Sequence, residues 1–321
     1  MSMHAAVLTG YGEPPSYAEH PAPEERPGRV VVRMTAAPVV PLDLICASGT
    51  SYFGAPPLPY VPGVQGVGTL DGERVWISSS AGMQPGDGTL AEWCSVPEVD
   101  VVRLPDGLPD PAVAAIGLSG VAAWGALVFR ARVADGERVI VLGAGGAVGQ
   151  AAIGVARSRG AGLVVAVCRS ESASGRARRS GADEVVVLPA SGDADELTAA
   201  LTEALGGGTA DVVLDPVFGW VAAAATRVMT PHGRLVNLGG SAADAATLSS
   251  AVVRGRSLDV LGYTNNSLTP DRRAEALTSV VRLAADGVVS VEHRVRPLAD
   301  AGAAWHDQAT GAAVVRQVLV P

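Results

Sequence analysis

Short runs of Val, Ile and Leu alternate with Ala-rich stretches through the middle of the chain, from residue 121 to residue 261. Unbroken apolar runs of this kind predict strands buried on both faces, as in a parallel sheet with helices on either side. Six such strands are enough for a complete doubly wound α/β sheet. The predicted strands are Arg138–Leu142, Leu163–Val167, Glu184–Val187, Asp211–Leu214, Arg234–Leu238 and Leu258–Leu261.

The first 120 or so residues have a different texture, rich in Pro and Gly. Short apolar runs, such as Val30–Val32 and Arg74–Ile77, are separated by turn clusters such as Gly12–Pro15 and Pro85–Gly88. Frequent breaks between short runs predict a compact, mostly β unit. At about 150 residues per domain, a chain of 321 residues is long enough for two domains.

Composition excludes several classes of protein. With 48% hydrophobic and 17% charged residues, the chain is expected to fold into a well-packed globule, and no apolar run reaches the roughly 18 residues that a membrane span needs. The formal net charge of −8 argues against nucleic-acid binding, which needs a concentrated basic face. All 24 basic residues are arginine, so lysine Schiff-base chemistry and the phosphate-binding P-loop are excluded. The widely spaced Cys46, Cys94 and Cys168 favour a reducing cytoplasm over a disulfide-forming compartment.

A glycine-rich turn follows the first strand of the predicted sheet and precedes a predicted helix, Val148–Arg159. Glycines in such a turn permit a tight bend, a close approach of a pyrophosphate and close packing of helix on sheet, while the helix N-terminus supplies amide donors. The strand–turn–helix context favours a dinucleotide-binding site over a merely structural turn. The predicted binding residues here are Gly143, Gly145, Gly146, Ala147, Val148 and Gly149.

Arg169 and Ser170 lie at the end of the second strand, where this kind of fold selects its dinucleotide. An acidic residue there binds the adenosine ribose, whereas arginine accommodates a 2′-phosphate. A guanidinium fork beside a hydroxyl therefore predicts NADPH rather than NADH as the cofactor. Two alternatives stay open: Arg169 is a solvated surface residue, or the neighbouring Glu171 orients it or binds a ribose itself.

Besides the glycine turn, several further segments are typical of one family: Ala36–Asp43, Pro57–Gly63, Gly88–Trp93, Leu104–Leu108, Gly181–Asp183 and Gly233–Gly239. With these segments, the whole chain resembles the medium-chain dehydrogenase/reductase superfamily, in particular its zinc-independent quinone oxidoreductase branch, the relatives of zeta-crystallin. The resemblance implies a GroES-like catalytic domain built from residues 1–120 and 262–321, with a Rossmann domain, 121–261, between them. It also implies a cleft where nicotinamide meets substrate, and a homodimer paired through the sheet edge at Leu258–Tyr263.

Two positions bear on metal chemistry. Metal-dependent members of this superfamily carry Cys and then Gly-His-Glu as zinc signatures, where this chain has Val40 and Gly63-Val64-Gln65. Neither a thiolate nor an imidazole is available there, so we expect chemistry without zinc.

Without a Lewis acid, hydride delivery to a quinone or an α,β-unsaturated carbonyl is favoured over alcohol oxidation, because those acceptors are already polarised. Tyr52 matches the tyrosine that quinone oxidoreductases place beside the cleft, and its phenol is the candidate proton donor; packing of a Pro-rich loop is the alternative. By the same resemblance, cofactor contacts are expected from Asn265 and Asn266, which also suit an ordinary turn. The last predicted cofactor contacts are Leu238, Gly239, Gly240 and Ser241, at the carboxyl end of the fifth strand.

Three functions remain open. The first is an NADPH-dependent reductase of small quinones or enones. The second is a tailoring reductase of an enone, enoyl thioester or imine in specialised metabolism, because Val40 stands where the quinone oxidoreductase branch often has asparagine. The third is a non-catalytic NADPH-binding protein, because no catalytic acid is obvious.

The assignment of Arg169 can be tested directly. Arg169→Ala should raise the Michaelis constant for NADPH much more than that for NADH, because only NADPH carries the 2′-phosphate. Steady-state kinetics with both cofactors measure the effect, and equal effects on the two would refute the assignment.

Overall fold

Strands from both ends of the chain pair in one sheet, and this pairing divides the structure into two units. The computed structural model describes residues 1–321. The first unit comprises Met1–Gly117 and Val291–Pro321, and the second comprises Leu118–Ser290.

The N-terminal part of the first unit consists mainly of short strands, as its Pro- and Gly-rich sequence predicts. Helix α1 begins with a proline, which is tolerated there because the first N–H groups of a helix have no intrahelical partner. The elements are β1 (Ser2–Val7), β2 (Ser16–Pro21), β3 (Arg29–Val39), α1 (Pro41–Ala47), β4 (Gln65–Leu70), β5 (Glu73–Ser78), β6 (Trp93–Pro97) and β7 (Val101–Arg103), followed by α2 (Asp110–Trp124), whose residues from Leu118 on belong to the second unit.

The second unit contains a six-stranded, all-parallel sheet in the order β10-β9-β8-β11-β12-β13. Its central strands form because their Val, Ile and Leu side chains are buried; Ile140, Val165 and Leu214 are all fully buried. The strand order reverses between β8 and β11, which is where such sheets bind ligands. The elements are β8 (Arg138–Leu142), α3 (Ala147–Ser158), β9 (Leu163–Cys168), α4 (Glu171–Arg179), β10 (Glu184–Val187), α5 (Ala194–Ala204), β11 (Ala210–Asp215), α6 (Gly219–Thr226), β12 (Met229–Asn237), α7 (Ser250–Gly255), β13 (Asp259–Gly262) and α8 (Pro270–Ala285).

The C-terminal segment completes the first unit with β14 (His293–Pro297), α9 (Ala301–Thr310) and β15 (Arg316–Val320). β15 pairs antiparallel with β3, and β14 pairs parallel with β15. The resulting seven-stranded sheet has β14-β15-β3-β4-β5-β7 as its path, with β6 on the other part of β3. The last strand of the chain is thus paired with the strand that leads into α1.

The second unit extends beyond the limit predicted from the sequence. Residues 262–290 belong to it, although the sequence assigns them to the first unit. Helix α8 explains the difference, because it buries an apolar face that includes Leu277 and Val281 and packs against α3. Gly154 of α3 lies so close to the segment after α8 that a Cβ there would be 2.4 Å from the Val288 carbonyl oxygen.

One helical stretch, Asp110–Arg130, is long and apolar enough to cross a membrane by length and composition alone. Its most apolar window is 72% buried inside the protein, as is usual for a core helix. The backbone also leaves helical geometry at Gly117, with φ of 14° and ψ of −120°.

A buried carboxyl group lies at the start of α1. Asp43 is 1% exposed and accepts hydrogen bonds from the N–H groups of Val40, at 2.7 Å, and Val64, at 2.9 Å, so it links the segments on the two sides of α1. The charge of Arg316, on β15, lowers the pKa of Asp43, and its guanidinium donates to the Val39 carbonyl at 3.1 Å. Arg316 therefore joins the C-terminal strand to the end of β3, just before α1.

Stability should depend on the protonation of Asp43. Burial raises its pKa from 3.8 to about 7, against the backbone hydrogen bonds and the charge of Arg316, so between these values the folded chain holds a proton that the unfolded chain has lost. The free energy of unfolding therefore falls as pH rises through this window, by up to about 1.4 kcal/mol per pH unit, and Asp43→Asn should remove that slope. Chemical unfolding of the parent chain and of Asp43→Asn between about pH 4 and pH 8 measures how the free energy of unfolding changes with pH. Equal slopes for the two chains would contradict the prediction.

Candidate functional site

The glycine-rich turn lies at the carboxyl end of β8, between strand and helix, where the sequence predicts it. Gly143 has a positive φ of 63°, which lets the chain bend sharply as it leaves the strand. The N–H of Ala144 donates to the Val167 carbonyl of β9 at 3.0 Å, and the N–H of Gly146 donates to the Gly143 carbonyl at 3.0 Å. These bonds join the turn to the neighbouring strand before α3 begins.

Two positions in the turn leave no room for a side chain. A Cβ on Gly149 would lie 2.4 Å from the Ala144 Cα, and a Cβ on Gly145 would lie 2.4 Å from the Ala173 Cβ of α4. Both α3 and α4 therefore pack directly on the backbone of the turn. Gly146 differs, because a Cβ there would meet just the Gly143 carbonyl oxygen, at 3.3 Å.

The start of α3 presents free amide groups. Gly146 caps the helix without a side-chain hydrogen bond. Among residues 1–321, no carbonyl or side chain accepts a hydrogen bond from the N–H groups of Ala147, Val148 or Gly149. Free amides at the positive end of a helix dipole bind anions such as phosphate. The residues present therefore fit the pyrophosphate of a dinucleotide.

A cluster of polar groups that sequence reasoning missed lies against the other side of the turn. The Gly145 carbonyl accepts hydrogen bonds from Nε of Arg176, at 3.0 Å, and from Nε2 of Gln150, at 3.1 Å. Burial raises the pKa of the Cys168 thiol, while hydrogen bonds with Ser174 and the Gly145 N–H, and the charge of Arg176, lower it. The available signal was the position of Arg176 three residues after Ala173, on the helix face that meets the turn.

Arg169 and Ser170 follow β9, beside the turn. Both are exposed, and the Arg169 guanidinium has no hydrogen bond or ion pair within residues 1–321. Ser170 caps α4 by accepting a hydrogen bond from the Ala173 N–H at 3.4 Å. Glu171 forms no ion pair with Arg169, so it does not orient that side chain. The guanidinium is available to an anion at this edge of the sheet.

The ends of β11 and β12 continue the same edge. A Cβ on Gly143 would lie 3.4 Å from Pro216 Cγ, just after β11. After β12, the Ser241 N–H donates to the Pro216 carbonyl at 3.2 Å, and a Cβ on Gly239 would lie 3.1 Å from that carbonyl oxygen. The predicted segment Leu238, Gly239, Gly240 and Ser241 is therefore held next to the loop that packs on the glycine turn.

Asp215, which sequence reasoning also missed, organises that loop. It is fully buried, and its Oδ1 accepts hydrogen bonds from the N–H groups of Val217, at 2.9 Å, and Phe218, at 2.7 Å. Its Oδ2 accepts from Nδ2 of Asn237 at 3.1 Å. Burial raises the pKa of Asp215, while these hydrogen bonds lower it. Phe218 has a φ of 61°, a conformation that costs a non-glycine residue about 1–3 kcal/mol, so the hydrogen bond to Asp215 helps to hold a strained backbone.

Asn265 and Asn266 follow β13 but differ in their surroundings. Nδ2 of Asn265 donates to the Leu118 carbonyl at 3.2 Å, and its Oδ1 accepts from the Tyr263 hydroxyl at 2.9 Å. Asn266 is exposed, and its N–H donates to Thr264 Oγ1 at 3.3 Å. The Asn265 amide is therefore engaged within the protein, whereas the Asn266 side chain is open to solvent.

The metal-ligand positions of the first unit hold buried side chains. Val40 and Val64 are 5% and 1% exposed. Gln65 is fully buried, and its Oε1 accepts a hydrogen bond from Trp76 Nε1 at 2.9 Å. No group of three His, Cys, Asp or Glu side chains among residues 1–321 is placed to hold a metal ion. Zinc independence stays a prediction, drawn from the residue types at these positions.

Tyr52 lies after α1 in the first unit and is 82% exposed. Its ring rests on Phe53, with ring centroids 4.1 Å apart, and its hydroxyl has no partner within residues 1–321. The phenol is therefore free to donate a hydrogen bond to a ligand, and its role stays a prediction.

Known proteins with similar sequences identify the family. The family model of zinc-binding dehydrogenases matches residues 147–283. An alcohol dehydrogenase from Geobacillus stearothermophilus is 32% identical over 66% of this chain and 70% of its own. The quinone oxidoreductase of Homo sapiens is 34% identical over 44% of each chain. The chain belongs to the medium-chain dehydrogenase/reductase superfamily.

Solved structures share the fold from end to end. The quinone oxidoreductase of Thermus thermophilus, solved also in complex with NADPH, has a TM-score of 0.81 and 28% identity over 99% of this chain and 100% of that one. A mycobacterial quinone oxidoreductase has a TM-score of 0.88 over 100% of both chains at 23% identity, a level that shows the fold alone. The predicted α/β class with a doubly wound parallel sheet is confirmed.

Sequence similarity covers only part of the length of several relatives. A phenolphthiocerol/phthiocerol polyketide synthase of Mycobacterium tuberculosis is 31% identical over 60% of this chain but 9% of its own length. The chain thus spans less than half the length of this relative and of the human quinone oxidoreductase.

Because Gly149 is packed more closely than Gly146, an alanine should destabilise the chain more at position 149 than at position 146. Gly149→Ala should lower the free energy of unfolding by about 1–3 kcal/mol, because the new Cβ would displace the backbone at Ala144. The matched control, Gly146→Ala, should lose less stability than Gly149→Ala, because its nearest contact would be at 3.3 Å rather than 2.4 Å. Urea unfolding of the three chains without ligand measures both, and equal losses would contradict this account of the turn.

Proposed function

We propose that the chain is an oxidoreductase that uses NADPH to reduce a quinone or an α,β-unsaturated carbonyl, without a metal. The observation that carries the proposal is the glycine turn with free amides at the start of α3 and the unpaired Arg169 beside it. The likeness to the Thermus thermophilus quinone oxidoreductase, which was solved with NADPH, supports it.

The cofactor contacts follow from the carboxyl edge of the sheet. The amides of Ala147 and Val148 would bind the pyrophosphate, and Arg169 with the Ser170 hydroxyl would bind the 2′-phosphate. The backbone of Gly239 and Gly240, near the end of β12, would contact the cofactor ribose and nicotinamide. When bound, reduced nicotinamide supplies the hydride.

The acceptor then needs one proton on oxygen or carbon. Tyr52 offers an unpartnered phenol for that transfer, and water would restore the phenol afterwards. Val40 and Val64 keep their positions apolar, which suits an uncharged acceptor.

A second candidate is reduction of an enoyl thioester or a related acceptor in specialised metabolism. The likeness to a polyketide synthase favours it, because polyketide chains are carried as thioesters. The valine in place of asparagine at position 40 is consistent with a changed substrate.

Assembly and location are part of the proposal. β13 is an edge strand of the parallel sheet, and Val260 within it is 43% exposed. Pairing of this edge with the same edge of a second copy would satisfy its unpaired backbone N–H and C=O groups, so we expect a homodimer. All three cysteines are free and buried, which suits the cytoplasm.

The test combines binding with turnover. The purified chain is titrated with NADPH and NADH, and cofactor oxidation is then followed with benzoquinone, cyclohexenone and crotonyl-CoA. Tyr52→Phe should lower kcat about 100-fold, because the proton donor is lost, and leave the Kd for NADPH unchanged. The matched control is Tyr17→Phe, another exposed tyrosine of the first unit, which should retain full activity.

Each outcome separates the candidate functions. Oxidation with benzoquinone or cyclohexenone supports the first candidate, and oxidation with crotonyl-CoA alone supports the second. Tight NADPH binding without oxidation by any acceptor would leave a non-catalytic nucleotide-binding protein. Failure to bind either cofactor would overturn the proposal.

A further inference from the structure

Arg176 is a buried arginine without an acidic partner. It lies on α4 with 9% of its surface exposed, and its Nε donates to the Gly145 carbonyl at 3.0 Å. Within residues 1–321 no carboxylate pairs with this guanidinium, and its two Nη groups have no hydrogen-bond partner. These Nη groups are not among the buried unpaired atoms of the chain, so they remain open to solvent while the rest of the side chain is packed. Next to the glycine turn, they are available to an anionic ligand.

The adjacent anion-binding feature is the start of α3. Gly145 and Ala147 are two residues apart, so their Cα atoms lie within about 8 Å of each other. The N–H groups from Ala147 to Gly149 are free. The hydrogen bond between Arg176 and the Gly145 carbonyl therefore places a positive charge beside the turn that leads into these amides.

The hydrogen bond to Gly145 also fixes the shape of the turn. Gln150 of α3 donates to the same carbonyl at 3.1 Å, so donors from two helices hold this peptide group. With its carbonyl engaged by two side chains, Gly145 is held in place, and the following amides are aligned before a ligand arrives.

We propose that Arg176 is a positioning residue for the cofactor pyrophosphate: it holds the Gly145 carbonyl and supplies positive charge behind the free amides of α3. The inference rests on the proposed function, because it requires a dinucleotide at the turn. It gives Arg176 a different task from Arg169. Arg169 distinguishes NADPH from NADH through the 2′-phosphate, whereas Arg176 strengthens the binding of every ligand that carries the pyrophosphate.

Calorimetric titration of the full chain with NADPH, NADH and ADP-ribose tests this. Arg176→Met should weaken all three by about tenfold, the effect of losing one charge-assisted contact. Arg176→Lys should restore most of the affinity, because it keeps the charge. The matched control is Arg178→Met, which removes an exposed arginine from the same helix and should leave all three affinities unchanged.

Thermal unfolding of each chain without ligand checks that the variants fold. If Arg176→Met does not fold, Arg176→Gln keeps a polar donor without the charge and should show the same loss for all three ligands. Unchanged affinities in a folded variant, a loss confined to NADPH, or no recovery with lysine would each overturn the inference. If the parent chain binds none of the three ligands, the proposed function itself fails, and that result precedes any variant.

Discussion

Close packing on the glycine turn is the contact on which the carboxyl edge of the second unit depends. The Gly149 backbone lies against the Ala144 backbone, and the Gly145 backbone lies against the Ala173 methyl group of α4. On the other side, Gly143 meets the loop at Pro216 that also holds the segment after β12. Because these approaches tolerate no Cβ, the start of α3 and the ends of β9, β11 and β12 keep fixed relative positions. The site's donors are aligned by packing before any ligand binds.

Several groups around this edge are kept at a cost to stability. Phe218 occupies a backbone conformation that suits glycine. Asp215 is buried with its charge balanced by hydrogen bonds alone. Costs of this kind concentrate at sites that bind ligands, whereas the apolar strands supply the favourable free energy that sustains them.

The sequence predicted most of the second unit because its signals are local. Buried Val, Ile and Leu runs predict parallel strands, and the glycine turn between strand and helix predicts the anion site. Residues 262–290 were assigned to the other unit, because the apolar face of α8 does not reveal which surface will cover it. Arg176 and Asp215 escaped notice because a polar residue acquires its role from partners far away in the chain. Tyr52 was identified through family resemblance. Its side chain is exposed and has no partner in the chain, so its role as proton donor has to be tested by experiment.

The carboxylate of Asp43 holds the main chain at Val40 and Val64 through their N–H groups, and it does not touch their side chains. An anchor that acts on the backbone does not depend on which side chain each of these residues carries. The side chains at positions 40 and 64 can therefore be exchanged while the main chain there keeps its position, so the chemistry of the two positions can change without a change of fold.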